Sequence, residues 1–173
     1  MTMKKKALFL SLLALIFLST QGAIAATGHL QKNDPTQPIV SIKPIAPQKN
    51  FHPGDKFELI LELTISPGFH INSQNPEDDL LVPTSVEFKE DPAFEVKEII
   101  FPETKTKKFK FSEKPLSVYE GQVEIKARIE LGKDARPDSL DLAGQIRYQA
   151  CDEQACLKPT STSFKAKIKV LHD

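Results

Sequence analysis

Ten residues, KFELILELTI at 56–65, alternate apolar and polar side chains with a period of two. In an extended chain Phe57, Leu59, Leu61, Leu63 and Ile65 project to one side, and Glu58, Glu62 and Thr64 to the other. A helix would scatter the same apolar set around its axis, so the segment is a strand with one buried face. Comparable runs recur at 39–44 (IVSIKP), 69–72 (FHIN), 84–88 (TSVEF), 94–101 (FEVKEIIF), 117–131 (SVYEGQVEIKARIEL), 139–150 (SLDLAGQIRYQA) and 164–171 (FKAKIKVL), and Pro, Gly or Asp closes them. No long pattern of helical period competes. Seven or eight strands at intervals of about ten residues predict an all-β, immunoglobulin-like antiparallel β-sandwich. A closed barrel is the alternative that periodicity leaves open.

Ahead of the strands lies a different kind of segment. MTMKKK is positively charged, ALFLSLLALIFL is a 12-residue apolar run, and Ala23-Ile24-Ala25 places small residues where a signal peptidase cuts. The run is shorter than the ~20 residues of a spanning helix, and no cysteine follows it to carry a lipid. Residues 1–25 are therefore expected to be a signal peptide cleaved after Ala25, in a bacterial style that implies the periplasm or the exterior. Residues 26–38, polar with two prolines, read as a disordered approach to a domain spanning 39–171. Beyond residue 25 there are 20 basic and 23 acidic side chains, a net charge of −3, which does not favour nucleic acid. No second apolar run of spanning length occurs, so a soluble mature chain is expected.

Both cysteines fall in one short stretch, YQACDEQACLKP at 148–159, between two predicted neighbouring strands. Zinc is the weakest reading. A tetrahedral site wants four ligands, and His29, His52, His70 and His172 show no paired spacing with one another or with the thiols. A structural disulfide is the serious alternative in an oxidising compartment. Closing six residues stabilises by about 2 kcal/mol, against nearly 5 kcal/mol for a loop of about 100 residues. A pair this close can also open without unfolding the domain, as a redox relay requires. Spacing alone leaves staple and relay open.

The stretch YQACDEQACLKP, with PGFHINSQNP (67–76) and LSVYEGQVEI (116–125), resembles the N-terminal periplasmic domain of the thiol:disulfide interchange protein DsbD, over most of residues 39–171. The resemblance implies an immunoglobulin-like fold and a redox pair formed by Cys151 and Cys156. It implies electron transfer from a thioredoxin-like domain, fed by a membrane transporter, to oxidised periplasmic proteins, with the second cysteine, Cys156, joining to partners. No cofactor or metal is implied. The sequence stops at Asp173 without transporter helices or a thioredoxin-like domain, so the expected partners are thioredoxin-like periplasmic proteins and a separate membrane thiol transporter. Relatives cover the disulfide with a loop bearing an aromatic residue, and KKFKFSEKP (107–115) holds the corresponding place. Phe111 is the first candidate for the cap and Phe109 the second. His70 and Asn72, on the strand that passes the disulfide in relatives, and Tyr148 of the YQxC element are candidate neighbours of the pair; a histidine there could carry the proton released in exchange, although a solvent-facing strand histidine is the commoner outcome.

Charge near the cysteines can be read without the family. Thiolate is the attacking species; Asp152 and Glu153 disfavour it, and Lys158 favours it weakly. The pair is expected to react slowly until a partner changes its surroundings. From a different functional class, the alternative is a secreted binding or assembly module with a structural disulfide.

Overall fold

The computed structural model describes residues 38–135 and 138–171. The expected signal peptide, residues 26–37 of the approach segment, and His29 and His172 lie outside them. The described residues form twelve β elements and no helix: β1 (Val40–Ile45), β2 (Asn50–Phe51), β3 (Lys56–Ile65), β4 (His70–Asn72), β5 (Ser85–Phe88), β6 (Phe94–Ile100), β7 (Lys105–Lys107), β8 (Leu116–Tyr119), β9 (Gln122–Leu131), β10 (Ser139–Tyr148), β11 (Ala150–Cys151) and β12 (Thr160–Val170).

Two four-stranded sheets, ordered β1-β3-β9-β6 and β2-β12-β10-β5, share one core. The alternation in β3 works as the sequence requires: Phe57, Leu59, Leu61, Leu63 and Ile65 are buried, while Lys56, Glu58 and Thr64 are exposed. Strand β12 repeats the device, with Phe164, Ala166, Ile168 and Val170 inward and Lys165, Lys167 and Lys169 outward. Both sheets have open edges, so the fold is the immunoglobulin-like sandwich and not the closed barrel. One pairing breaks the antiparallel rule. The two residues of β2 lie parallel to the end of β12, Asn50 beside Lys169 and Phe51 beside Val170.

A third sheet, β11-β4-β8-β7, grows from the ends of three sandwich strands. The chain leaves β3 through a turn at Gly68 (φ +84°) and becomes β4; it leaves β8 through Gly121 (φ +69°) and becomes β9. Side chains with a Cβ are strained at such φ values, so these glycines fix where the core strands stop and the small sheet starts. The single run 117–131 read from periodicity is thus two elements belonging to different sheets. The carbonyl of Gly121 accepts from the Ile65 N–H at 2.8 Å, tying the two turns together.

Candidate functional site

Cys151 sits on β11, an edge strand of the third sheet, and Cys156 lies just beyond that strand. After β10 the chain kinks at Gln149 and forms β11, which pairs with β4 so that Ala150 faces Ile71 and Cys151 faces His70. Residues 152–155 then turn back, and Cys156 closes a disulfide with Cys151. This turn is also held by its own hydrogen bonds. Leu157 N–H donates to the Ala150 carbonyl at 2.8 Å and Asp152 N–H to the Ala155 carbonyl at 3.0 Å. Asp152 Oδ1 accepts from the N–H groups of Gln154 and Ala155 at 2.7 and 2.8 Å. Those bonds, Ala155 first, hold the Asp152 carboxyl below its ordinary range. Asp152, read from sequence as a charge that discourages thiolate, is also the residue that shapes the turn.

The two sulfurs differ in access. Cys151 is fully buried and Cys156 half-buried. On the face of the sheet shared by Cys151 and His70, the ring of Phe109 stacks on the His70 imidazole, with centroids 4.0 Å apart and planes at 18°. Phe111 stacks in turn on Phe109 at 5.3 Å. Phe109 is buried with Leu116 and Val118, whereas Phe111 is 36% exposed. Both lie in the loop after β7, which is not a strand but a turn-rich segment: Ser112 N–H donates to the Phe109 carbonyl at 3.3 Å, and the Ser112 hydroxyl donates to the Lys114 carbonyl at 2.8 Å. Of the two candidate caps, Phe109 is the inner layer and Phe111 the outer.

His70, for which a solvent-facing strand position is the commoner expectation from sequence, is instead buried at 2% exposure by the stacked Phe109 ring, and its Nε2 has no hydrogen-bond partner. Burial lowers its pKa from 6.5; Glu120 and Glu153 oppose that shift, Lys107 adds to it, and Asp152 opposes it. Asn72 is fully buried but points its amide elsewhere: Nδ2 donates to the Val82 carbonyl at 3.0 Å and to Gln149 Oε1 at 3.2 Å. Tyr148 is buried in the sandwich core, with its hydroxyl 3.1 Å from Thr162 Oγ1 on the neighbouring strand.

Sequence reasoning did not single out Gln149. Its Oε1 accepts from Asn72 and from the Val82 N–H at 3.1 Å, while its Nε2 donates to the Leu157 carbonyl at 3.1 Å. One amide thus joins β4, the segment before β5 and the cysteine turn. The signal was present, because Gln149 is the second residue of the YQxC element. Among the described residues no group of three or more His, Cys, Asp and Glu side chains is arranged to hold a metal.

The family described as thiol:disulfide interchange protein DsbD, N-terminal, matches residues 41–168, which include every strand of this site. The chain belongs to the DsbD N-terminal family. Among solved structures, this DsbD N-terminal chain is similar to the N-terminal periplasmic domain of ScsB from Proteus mirabilis, with 16% identity, a TM-score of 0.50, and coverage of 80% of this chain and 49% of that one. It therefore spans about half the length of that solved chain. A second similar structure is the reduced DsbD N-terminal domain of Neisseria meningitidis, at 16% identity, a TM-score of 0.39, and coverage of 64% and 77%. Among curated proteins none matches at a significant level.

Proposed function

We propose that this chain is a periplasmic thiol–disulfide relay that passes electron pairs through Cys151 and Cys156. Family membership supports thiol–disulfide interchange and a periplasmic setting. The observation that carries the reading is the asymmetry of the disulfide, whose inner cysteine is fully buried, paired across the strands with His70, while the outer one is half-buried at the end of a turn. A staple has no need of such an arrangement, whereas exchange requires one sulfur that a partner can reach.

In this reading the thiolate of a thioredoxin-like donor, supplied by a separate membrane transporter, attacks Cys156 Sγ. The electron pair of the Cys151–Cys156 bond leaves with Cys151, which takes up a proton. The donor's second thiol then attacks the mixed disulfide on the donor sulfur and releases Cys156. The donor has become a disulfide and this chain a dithiol, which reduces an oxidised exported protein by the reverse order of steps. Among the described residues the exposed large hydrophobic side chains are Leu80, Phe111 and Leu157. Leu157 adjoins Cys156, Phe111 lies in the candidate cap loop, and Leu80 lies in the segment that Gln149 ties to the cysteine turn, so exposed apolar side chains are available to a partner. Residues 1–25 act as the export signal, residues 26–38 as the approach to the domain, and 39–171 as the relay domain.

The test is mixed-disulfide trapping. With Cys151→Ser, Cys156 has no resolving thiol, and a disulfide-linked partner is expected on a non-reducing gel of periplasmic extract; Cys156→Ser is expected to trap nothing. Trapping through Cys151 alone reverses the roles, and trapping by neither favours a secreted binding module with a structural disulfide.

A further inference from the structure

His70 is a buried ionisable side chain with an unused nitrogen, placed opposite Cys151. Directly opposed residues of an antiparallel pair project from the same face with Cβ atoms about 4.5–5.5 Å apart, so register sets the imidazole beside the inner sulfur. The ring cannot drift, because Phe109 stacks on it at 4.0 Å and Phe111 backs Phe109. A buried nitrogen without a partner is costly, and such exceptions in folded proteins call for a reason. With the disulfide closed, Cys151 has no proton to offer. With it open, the Cys151 thiol is a donor at the distance the register dictates.

We infer that His70 holds the Cys151 proton: Nε2, unpartnered in the disulfide form, accepts the Cys151 S–H hydrogen bond when the disulfide opens and takes that proton when Cys151 attacks in the reverse step. The inference rests on the relay reading and deepens it by assigning the acid–base group. Burial favours the neutral imidazole, the state in which Nε2 can accept. The charges that face the ring are mixed in sign: Glu120 from the β8–β9 turn, Glu153 and Asp152 from the cysteine turn, and Lys107 from β7. Lys105 of β7 lines the same cleft, together with Glu120 and Glu153. The three carboxylates stabilise the imidazolium that forms transiently. Because the new hydrogen bond exists only in the dithiol form, His70 makes the pair easier to reduce. His70 acts here on Cys151 and not on a partner, so its influence is measurable in the isolated protein.

The experiment is a glutathione redox titration of purified wild type, His70→Phe and His70→Gln. Phe keeps an aromatic ring for the Phe109 stack and removes the acceptor; Gln keeps a hydrogen-bonding amide. His70→Phe is expected to lower the equilibrium constant for reduction about tenfold, about 30 mV for a two-electron couple, and His70→Gln to recover part of it. In parallel, the nitrogen-15 resonance of His70 Nε2 is followed in wild type in both redox states and is expected to move on reduction. That second readout needs no substitution and decides the matter if His70→Phe fails to fold. Equal equilibrium constants in folded variants, or an Nε2 resonance that does not move, overturns the inference. Neither readout involves a partner, so failure here with successful trapping by Cys151→Ser removes the role of His70 and leaves the relay, and the opposite pattern removes the relay alone.

Discussion

The imidazole of His70 lies flat against the ring of Phe109, centroids 4.0 Å apart, on the face of the third sheet that also carries Cys151. The contact makes Phe109 the inner ring of a stack on His70, with Phe111 outside it; if the stack caps the cysteine pair, Phe109 is its inner layer. Phe109→Ala is therefore expected to speed alkylation of the reduced cysteines more than Phe111→Ala does. It is also expected to cost about 3 kcal/mol, since Phe109 is packed among Leu116, Val118 and Leu81. Phe111→Ala should cost little, as its ring is partly in solvent. Alkylation time courses in the two variants, with thermal melts alongside, check both parts; equal rates in wild type and both variants would remove the cap.

Reduction is expected to leave the domain folded. The core of the sandwich contains neither cysteine, and the turn between Cys151 and Cys156 keeps the Leu157-to-Ala150 and Asp152-to-Ala155 hydrogen bonds. Opening a six-residue loop removes only about 2 kcal/mol by the chain-entropy estimate. Dithiothreitol should lower the melting temperature modestly with a cooperative transition retained. Unfolding at 25 °C on reduction would identify the disulfide as a staple.

The buried histidine also makes a signed prediction about pH. In the unfolded chain His70 protonates near 6.5, and in the folded chain burial lowers that value. Below pH 6.5 the unfolded state binds the proton first, so stability is full above 6.5 and falls as the pH drops toward the folded value. The carboxyls held low in the fold, Asp152 and Asp141 from 3.8 and Glu77 and Glu130 from 4.5, lose their contributions in a more acidic window. Urea midpoints of the oxidised protein at pH 7.5 and 5.5 isolate the histidine: wild type should weaken on acidification more than His70→Phe. Identical pH dependence would mean that His70 is not buried neutral.

How much of this was legible in the sequence depended on whether a local pattern or a long-range contact set the outcome. Strands β3 and β12 were readable because each lays a continuous apolar face on one core, so period two survives intact. The run at 117–131 was not separable by period alone, since both pieces are apolar; Gly121, at φ +69°, was the break. His70 and Asn72 sit in a three-residue strand buried throughout, where alternation carries no information. The burial of His70 comes from Phe109, 39 positions away, on a loop whose FKF pattern imitates a strand. Gly144 shows the same long-range logic in the core: a Cβ there would come within 2.3 Å of the Glu87 carbonyl and 2.6 Å of the Phe164 ring. The residue therefore has to be glycine for Phe164 to lie across β10.

The last prediction concerns Gln149, whose amide is the tie between the cysteine turn and the segment carrying Leu80. In Gln149→Leu three hydrogen bonds disappear and the Val82 N–H and the Asn72 amide each lose an acceptor. Asn72 keeps its bond to the Val82 carbonyl, so the loss is partial, and a cost of about 1–3 kcal/mol is expected. Gln149→Glu separates the two ends of the tie. A carboxylate still accepts from Asn72 and Val82, but it cannot donate to the Leu157 carbonyl and sets negative charge against it. If the donor end is what holds the cysteine turn, both variants should speed alkylation of Cys156 in the reduced protein, while only Gln149→Leu should speed hydrogen exchange at the Val82 N–H. Should Gln149→Glu alkylate at the wild-type rate, the turn is held by its own Asp152 and Leu157 hydrogen bonds, and Gln149 serves only to seat the Leu80 segment.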